Sequence, residues 1–259
     1  MKKQGERGKG VRSRWRGRSL AGAWVAAAVG VVLMFVGSAA AASTAATATP
    51  VTYKAPYSGT EFDDLWDYLG GSGGPICGVA GTFPVLPFFN LTTGYANESV
   101  KATAKSCGTG TNFAEPEALA GFESNSITGV SGLRHVKASW VWDFSVKLVA
   151  APSTGSSAEA YFVVGGSIYL YDETNGSIWF SNFPTVDNFI SSGTYSHVYK
   201  DHESMYVNAT LNKTHSYDFV VEVWIGLEAE VSPGTSTASA AVNMGSGGRS
   251  AFLVSVTGL

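Results

Sequence analysis

The sequence predicts an all-β protein: an antiparallel β-sandwich of jelly-roll or Ig-like type, with an N-terminal signal helix and one short helix near 61–69. Three observations lead there. Apolar and polar residues alternate with period two from about Ser99 onward, the repeat of a strand with one buried face. Asn175-Gly176 separates two β-rich runs, a strong short-range hairpin signal. Gly, Pro, Asn and Ser recur at short intervals between the runs while helical periodicity is almost absent, which argues against βαβ units.

The chain begins with a basic head, Met1 to Arg18, followed by an uncharged apolar run from Leu20 to Ala42 that closes on small residues. That is the layout of a secretory signal peptide, residues 1–42, with an Ala-x-Ala exit for the peptidase. The alternative is an uncleaved anchor, since 23 apolar residues are long enough to span a bilayer. Either way the remaining domain is expected outside the cytoplasm, extracellular or at the cell surface. The head holds eight of the seventeen basic residues and one of the twenty acidic ones. Cleavage leaves nine basic against nineteen acidic groups, a net charge near −10. A chain of that charge is no partner for nucleic acid, and membrane contact is expected only through an uncleaved anchor.

Residues 43–52, rich in Ala and Thr, read as a disordered linker. In 61–69 apolar residues fall at 62, 65, 66 and 69, a helical spacing that ends at Gly70-Gly71. Pro84 and Pro87 argue for irregular backbone around the first cysteine. The segment 53–110 reads as an N-terminal extension packed on a sandwich formed by 111–259.

Strands are expected over 100–105, more weakly 118–122, then 135–149, where Trp140, Trp142, Phe144, Val146 and Leu148 share a face. Further runs follow at 158–164, 167–173, 177–181, 195–200, 204–211, 216–231, 237–244 and 250–257.

Cys77 and Cys107 are the two cysteines, and in an oxidising compartment they are expected to pair. Closing that loop stabilises the fold by roughly 3–4 kcal/mol on a chain-entropy argument. Five Asn-x-Ser/Thr sequons mark candidate glycosylation sites at Asn90, Asn97, Asn175, Asn208 and Asn212. Chance alone would supply about two in a chain this rich in Ser and Thr.

No cofactor motif is present, neither a nucleotide-binding glycine pattern nor a Gly-x-Ser-x-Gly elbow, and none is expected. Asp63, Asp64 and Asp67 lack calcium-loop spacing and read as a solvated helix face. His135, His197, His202 and His215 have no metal-ligand spacing. Sequence-adjacent acids occur at Glu115/Glu117, Asp172/Glu173, Asp201/Glu203 and Glu228/Glu230. The Glu228/Glu230 pair, with Glu222 behind it, is the strongest candidate for glycosidase chemistry, yet alternating acids are also what a solvated strand carries. No catalytic residue is assigned.

With Asn175-Gly176 at the tip, Tyr171 should pair with Phe180, placing Tyr169, Tyr171 and Phe180 on one face and Trp179 with Asp172 on the other. Rings beside acids and amides are how sugar-binding sandwiches hold glycans, so Tyr169, Tyr171, Trp179 and Phe180 are the candidate glycan contacts. The reading leans away from an enzyme, toward a secreted or surface module for adhesion, envelope or glycan contact, with glycans or other surface proteins as partners. The alternatives are a secreted glycoside hydrolase on a jelly-roll scaffold and a structural subunit of a surface coat.

Overall fold

The computed structural model describes residues 52–53, 58–76, 78–129, 132–182, 186–244 and 256–258. The side chains of 52–53, 133–142, 180–182, 201–203, 205–206 and 256–258 lie outside that description, as do residues 1–51, where the signal segment and most of the linker are expected. The described residues form a single compact unit within Thr47–Leu259.

Its strands, in chain order, are β1 (Thr52–Tyr53), β2 (Gly59–Ser72), β3 (Ala80–Asn90), β4 (Tyr95–Lys105), β5 (Thr111–Ser124), β6 (Ile127–Thr128) and β7 (Gly132–Ala151). They continue as β8 (Ala158–Asp172), β9 (Ile178–Asn182), β10 (Val186–Ile190), β11 (Gly193–Leu211), β12 (Ser216–Val231), β13 (Thr237–Asn243) and β14 (Val256–Gly258). All pairings are antiparallel and make two seven-stranded sheets. The first sheet runs β1-β14-β7-β13-β4-β3, with β11 also paired to β7. The second runs β10-β8-β12-β5-β2, with β9 on β8 and β6 on β12. The sandwich class read from the alternation holds.

Alternation explains which face is buried. On β12 the odd positions Tyr217, Phe219, Val221, Val223, Ile225, Leu227, Ala229 and Val231 are all buried. They meet Phe144, Val146, Leu148 and Ala150 of β7 and the inward alanines and valines of β4 and β13 in one continuous core. Rings crowd one end, where Phe89 stacks on Phe122 at 4.9 Å and Phe122 meets Phe219 edge-on at 5.6 Å. Alanines fill the other, with Ala102, Ala104, Ala114, Ala158, Ala238 and Ala240 at most a few per cent exposed. Several inward positions break the apolar rule, Asn112, Ser124 and Asp172 among them, and one of them, Glu98 on β4, is fully buried with both carboxyl oxygens unpartnered.

Several sequence expectations are corrected here. Residues 61–69 are no helix but the middle of β2, paired with β5 from Gly59↔Ser124 to Ser72↔Thr111. The helical spacing arises because apolar side chains occupy both faces of this edge strand: Leu65 packs toward the core, while Phe62 covers Gly121 on the outer side. The Pro84–Pro87 stretch is a strand too, though the prolines mark register shifts between Thr82 and Val85 and between Val85 and Phe88. The segment 53–110, read as an extension, supplies β2 to one sheet and β3 and β4 to the other, so it is built into the sandwich. The runs 158–164 and 167–173 fuse through Gly165-Gly166 into β8, and 195–200 and 204–211 fuse into β11. Of the expected strand 250–257, residues 250–255 lie outside the described residues.

Candidate functional site

The two sheets differ sharply in charge. The strands of the second sheet carry fourteen acidic residues and no lysine, arginine or histidine: four acids on β2, three on β5, two on β8, one on β10 and four on β12. All six lysines and arginines borne by strands (Lys101, Lys105, Arg134, Lys137, Lys147 and Lys200) belong to the first sheet.

Ladder register then assembles the outer face of the second sheet row by row. Even positions of β12 point outward. Glu228 lies opposite Tyr161 of β8, and the β12–β5 register, which keeps one offset on both sides of Pro116 (Gly226↔Glu117 and Ala229↔Ala114), sets it beside Glu115 on its other side. Tyr161 is paired with Phe189 of β10, and Glu115 with Tyr68 of β2. One row across five strands therefore reads Phe189, Tyr161, Glu228, Glu115, Tyr68. Phe189 and Tyr68 are exposed, at 51% and 63%. The Tyr68 ring is tilted against Phe113 at 5.4 Å, widening the apolar edge of the row.

The next row is Asp187, Val163, Gly226, Glu117, Trp66, in which Val163 and Gly226 are buried and the valine side chain stands against the glycine. Beyond it Trp224 lies over Gly165, and in the following row Phe62 lies over Gly121, rings occupying the space that glycines vacate. Glu222 accepts hydrogen bonds from Ser167 Oγ at 2.9 Å and Tyr169 Oη at 2.7 Å.

Crowding acids on one sheet without a cation has an electrostatic cost. Burial, then repulsion from Glu115, Glu230 and Glu159, pushes the Glu228 carboxyl up to about 7. Glu115 is raised by burial and by Glu117 and Glu230. Glu230 is raised by burial and by Glu159. The Tyr161 phenol is held protonated by burial and by Asp187, to which its hydroxyl donates at 3.4 Å.

At the ring-rich end of the sandwich sits a second polar group. Asp172 is raised by burial but carried below its ordinary value by His215, whose Nδ1 lies 2.6 Å from Oδ2, and by the N–H groups of Thr174 and Asn175 on Oδ1. Nearby, burial and Glu173 push Asp218 up to about 7, while Ser126 and Ser216 both donate to Glu173 Oε2 at 2.7 Å. The Tyr217 hydroxyl accepts the N–H of Asn212 at 2.7 Å, the tyrosine-corner contact by which β-sandwiches fix a crossing between sheets.

The Asn175-Gly176 connection is longer than the two-residue turn expected. Tyr171 pairs with Ile178, Leu170 with Trp179 and Tyr169 with Phe180. The Gly176 N–H closes on the Asp172 carbonyl at 2.8 Å, with Gly176 at φ +78°. The shift is two residues, so the faces are unchanged: Tyr169, Tyr171 and position 180 lie on the outer side. Trp179 is on the core side, half-buried, with its ring 6.4 Å from Tyr217. It is therefore the one glycan-contact candidate turned away from the face. The Phe180 side chain lies outside the described residues.

Of the sequons, Asn175, Asn208 and Asn212 are exposed, Asn90 and Asn97 half-buried. Asn90, Asn175 and Asn212 sit in turns, each accepting backbone N–H groups two or three residues ahead. Cys77 lies outside the described residues. Cys107 follows β4, with Asn112 Nδ2 at 3.5 Å from its sulfur. His197 sits between Tyr195 and Tyr199 on β11, while the side chains of His135 and His202 lie outside the description. The strand splits the Asp63, Asp64, Asp67 group between two faces. Among the described residues no group of three or more His, Cys, Asp or Glu is placed to hold a metal ion.

What sequence reasoning missed is Glu115 beside Glu228, together with Tyr161, Tyr68, Trp66, Trp224 and Phe189 around them. The alternation within 216–231 already pointed Glu222, Trp224, Glu228 and Glu230 to one face. The neighbours come from strands far away in the chain.

No family model matches the chain, and no curated protein matches it. Among solved structures it is similar to the enzymatically active domain of tailspike protein 4 of Bacteriophage CBA120, at 14% identity and a TM-score of 0.16, over 68% of this chain and 19% of that one. It is also similar to the family 11 carbohydrate-binding module of Clostridium thermocellum, solved with a β-1,3-1,4-mixed-linked tetrasaccharide, at 11% identity and a TM-score of 0.15, over 67% of this chain and 89% of that one. The chain thus spans about a fifth of the tailspike chain.

Proposed function

We propose that this chain is an exported β-sandwich module that contacts glycans through the outer face of its second sheet. The observation that carries the reading is the row Phe189, Tyr161, Glu228, Glu115, Tyr68, which sets flat rings at both ends of a pair of carboxylates. Rings stack on the apolar faces of pyranoses, and carboxylates accept hydrogen bonds from their hydroxyls. The basic head and alanine-rich run of residues 1–42 support export, with the mature domain outside the cytoplasm. The turn-borne sequons and a Cys77–Cys107 bridge suit that compartment. Gly78 packs against Lys105, so the chain neighbours of the two cysteines are close, which supports the bridge.

A glycan array probed with the domain tests the reading, repeated with Tyr161→Ala and Tyr68→Ala. Binding to at least one glycan, weakened tenfold or more by either variant, is expected. Binding that survives both substitutions would move the contact elsewhere.

One observation favours a second reading, hydrolysis. Residues directly opposite across a ladder hold their β-carbons about 5 Å apart, and retaining glycosidases place two carboxyls at about that separation. Glu228, raised to about 7, would be the acid and Glu115 the nucleophile. Release of reducing ends from a bound glycan, abolished by Glu228→Gln with binding retained, would establish the enzyme over the module.

A further inference from the structure

The glycan-contact reading leaves open which sugars the face accepts, and the charge on the two sheets bears on that question. We propose that the outer face of the second sheet selects glycans bearing free amines, an amino-sugar polysaccharide, over neutral and anionic ones.

The argument is charge complementarity, and it rests on the glycan-contact reading. Among the described residues, no strand of this sheet supplies a cation to any of its fourteen acids. Around Glu228 the facing groups are Glu115 on β5, Glu230 on its own strand, and Glu159 and Tyr161 on β8. Each is acidic or neutral, so among the described residues no ammonium faces them. A uronate or sulfate entering this row meets like charge from every side, and in a half-buried setting such repulsion is only partly screened. A neutral pyranose meets acceptors but relieves nothing. An ammonium on a sugar stacked against Tyr161 or Tyr68 reaches the carboxylates in the centre of the row and removes repulsion the apo face carries. The ring at each end also suits a cation, which the face of an aromatic attracts.

The experiment is calorimetric titration of the folded domain, at pH 7 and low salt, with four probes: a glucosamine hexamer, an N-acetylglucosamine hexamer, a galacturonate hexamer and hexalysine. The glucosamine hexamer is expected to bind at least tenfold tighter than its acetylated twin, to lose affinity as salt rises, and to lose that preference in Glu115→Gln/Glu228→Gln. The galacturonate hexamer is expected not to bind. Equal binding of the two glucosamine-type hexamers, or any preference for galacturonate, overturns the selectivity while leaving glycan contact standing. Hexalysine binding as tightly as the glucosamine hexamer overturns it too, by making the face a site for any polycation. If no sugar binds here and the glycan array is also blank, the underlying reading fails instead. Near-ultraviolet circular dichroism of the double variant keeps loss of preference separate from loss of fold.

Discussion

The indole of Trp224 lies over Gly165, its partner directly across the β12–β8 ladder, so that a β-carbon on residue 165 would stand 2.5 Å from Cζ2. The ring fills what the glycine leaves empty, and this lets β8 run unbroken through Gly165-Gly166. Cross-strand cover of a glycine by an aromatic is a recognised way of stabilising a sheet.

Gly165→Ala should therefore displace the indole toward solvent rather than break the strand. A loss of about 1–3 kcal/mol is expected, the usual result of overpacking, with a red shift of tryptophan emission measured against the wild type. Unchanged stability and emission would mean that Trp224 is not held in this position.

Tyr217 tests the ring-rich end. Its hydroxyl accepts the Asn212 N–H where the chain crosses from β11 to β12. Tyr217→Phe keeps the buried ring and removes that acceptor, together with the longer donation from the hydroxyl to the Asn212 carbonyl at 3.4 Å. A loss of about 1–2 kcal/mol in urea unfolding is expected, the cost of one hydrogen bond with its donor left behind. A change below 0.5 kcal/mol would assign the crossing to packing alone.

The proposed bridge between Cys77 and Cys107 is tested by Cys77→Ser/Cys107→Ser. Opening a loop of this length should cost about 3–4 kcal/mol. Intact mass before and after alkylation, with and without reductant, shows whether the thiols are joined in the protein purified from its native host. Two alkylated thiols without reductant would remove the bridge from the account.

How far these features could be read from the sequence depends on how local they are. The bounds of strand 216–231 were legible, because every odd position from Tyr217 to Val231 is apolar and that face is fully buried. The edge strand β2 was not, because Leu65 and Phe62 serve opposite faces and their spacing imitates a helix. Gly165-Gly166 separated the expected runs 158–164 and 167–173 because the ring that covers Gly165, Trp224, lies on another strand. The hairpin was placed correctly, but Asp172 captures the N–H groups of Thr174 and Asn175 and lengthens the loop, moving the register by two residues. The Glu228/Glu230 pair was visible as a pair along one strand. Its closer companion, Glu115, lies over a hundred residues away in the chain, and only the ladder brings the two together.

Glu98 gives the sharpest test of the core. It is fully buried between Ala96 and Val100 on the inward face of β4, and neither carboxyl oxygen has a partner. Burial alone raises its pKa well above the ordinary value of 4.5, so the folded protein holds this side chain as the neutral acid. The folded state then binds a proton that the unfolded chain gives up above its own pKa of about 4.3. The contribution of Glu98 is thus most favourable below that value and is lost as pH rises toward the raised folded pKa. Glu98→Leu removes both the unpaired oxygens and the titration. It should be more stable than the wild type by about 1–3 kcal/mol at pH 7. The advantage should shrink as the pH is lowered to 4.5. Urea unfolding of the two proteins across pH 4.5 to 8 measures the difference, which cancels the slopes contributed by Glu228 and Asp218. A Leu variant that is less stable throughout, with the wild-type slope intact, would place a partner on Glu98 and reject the neutral buried acid.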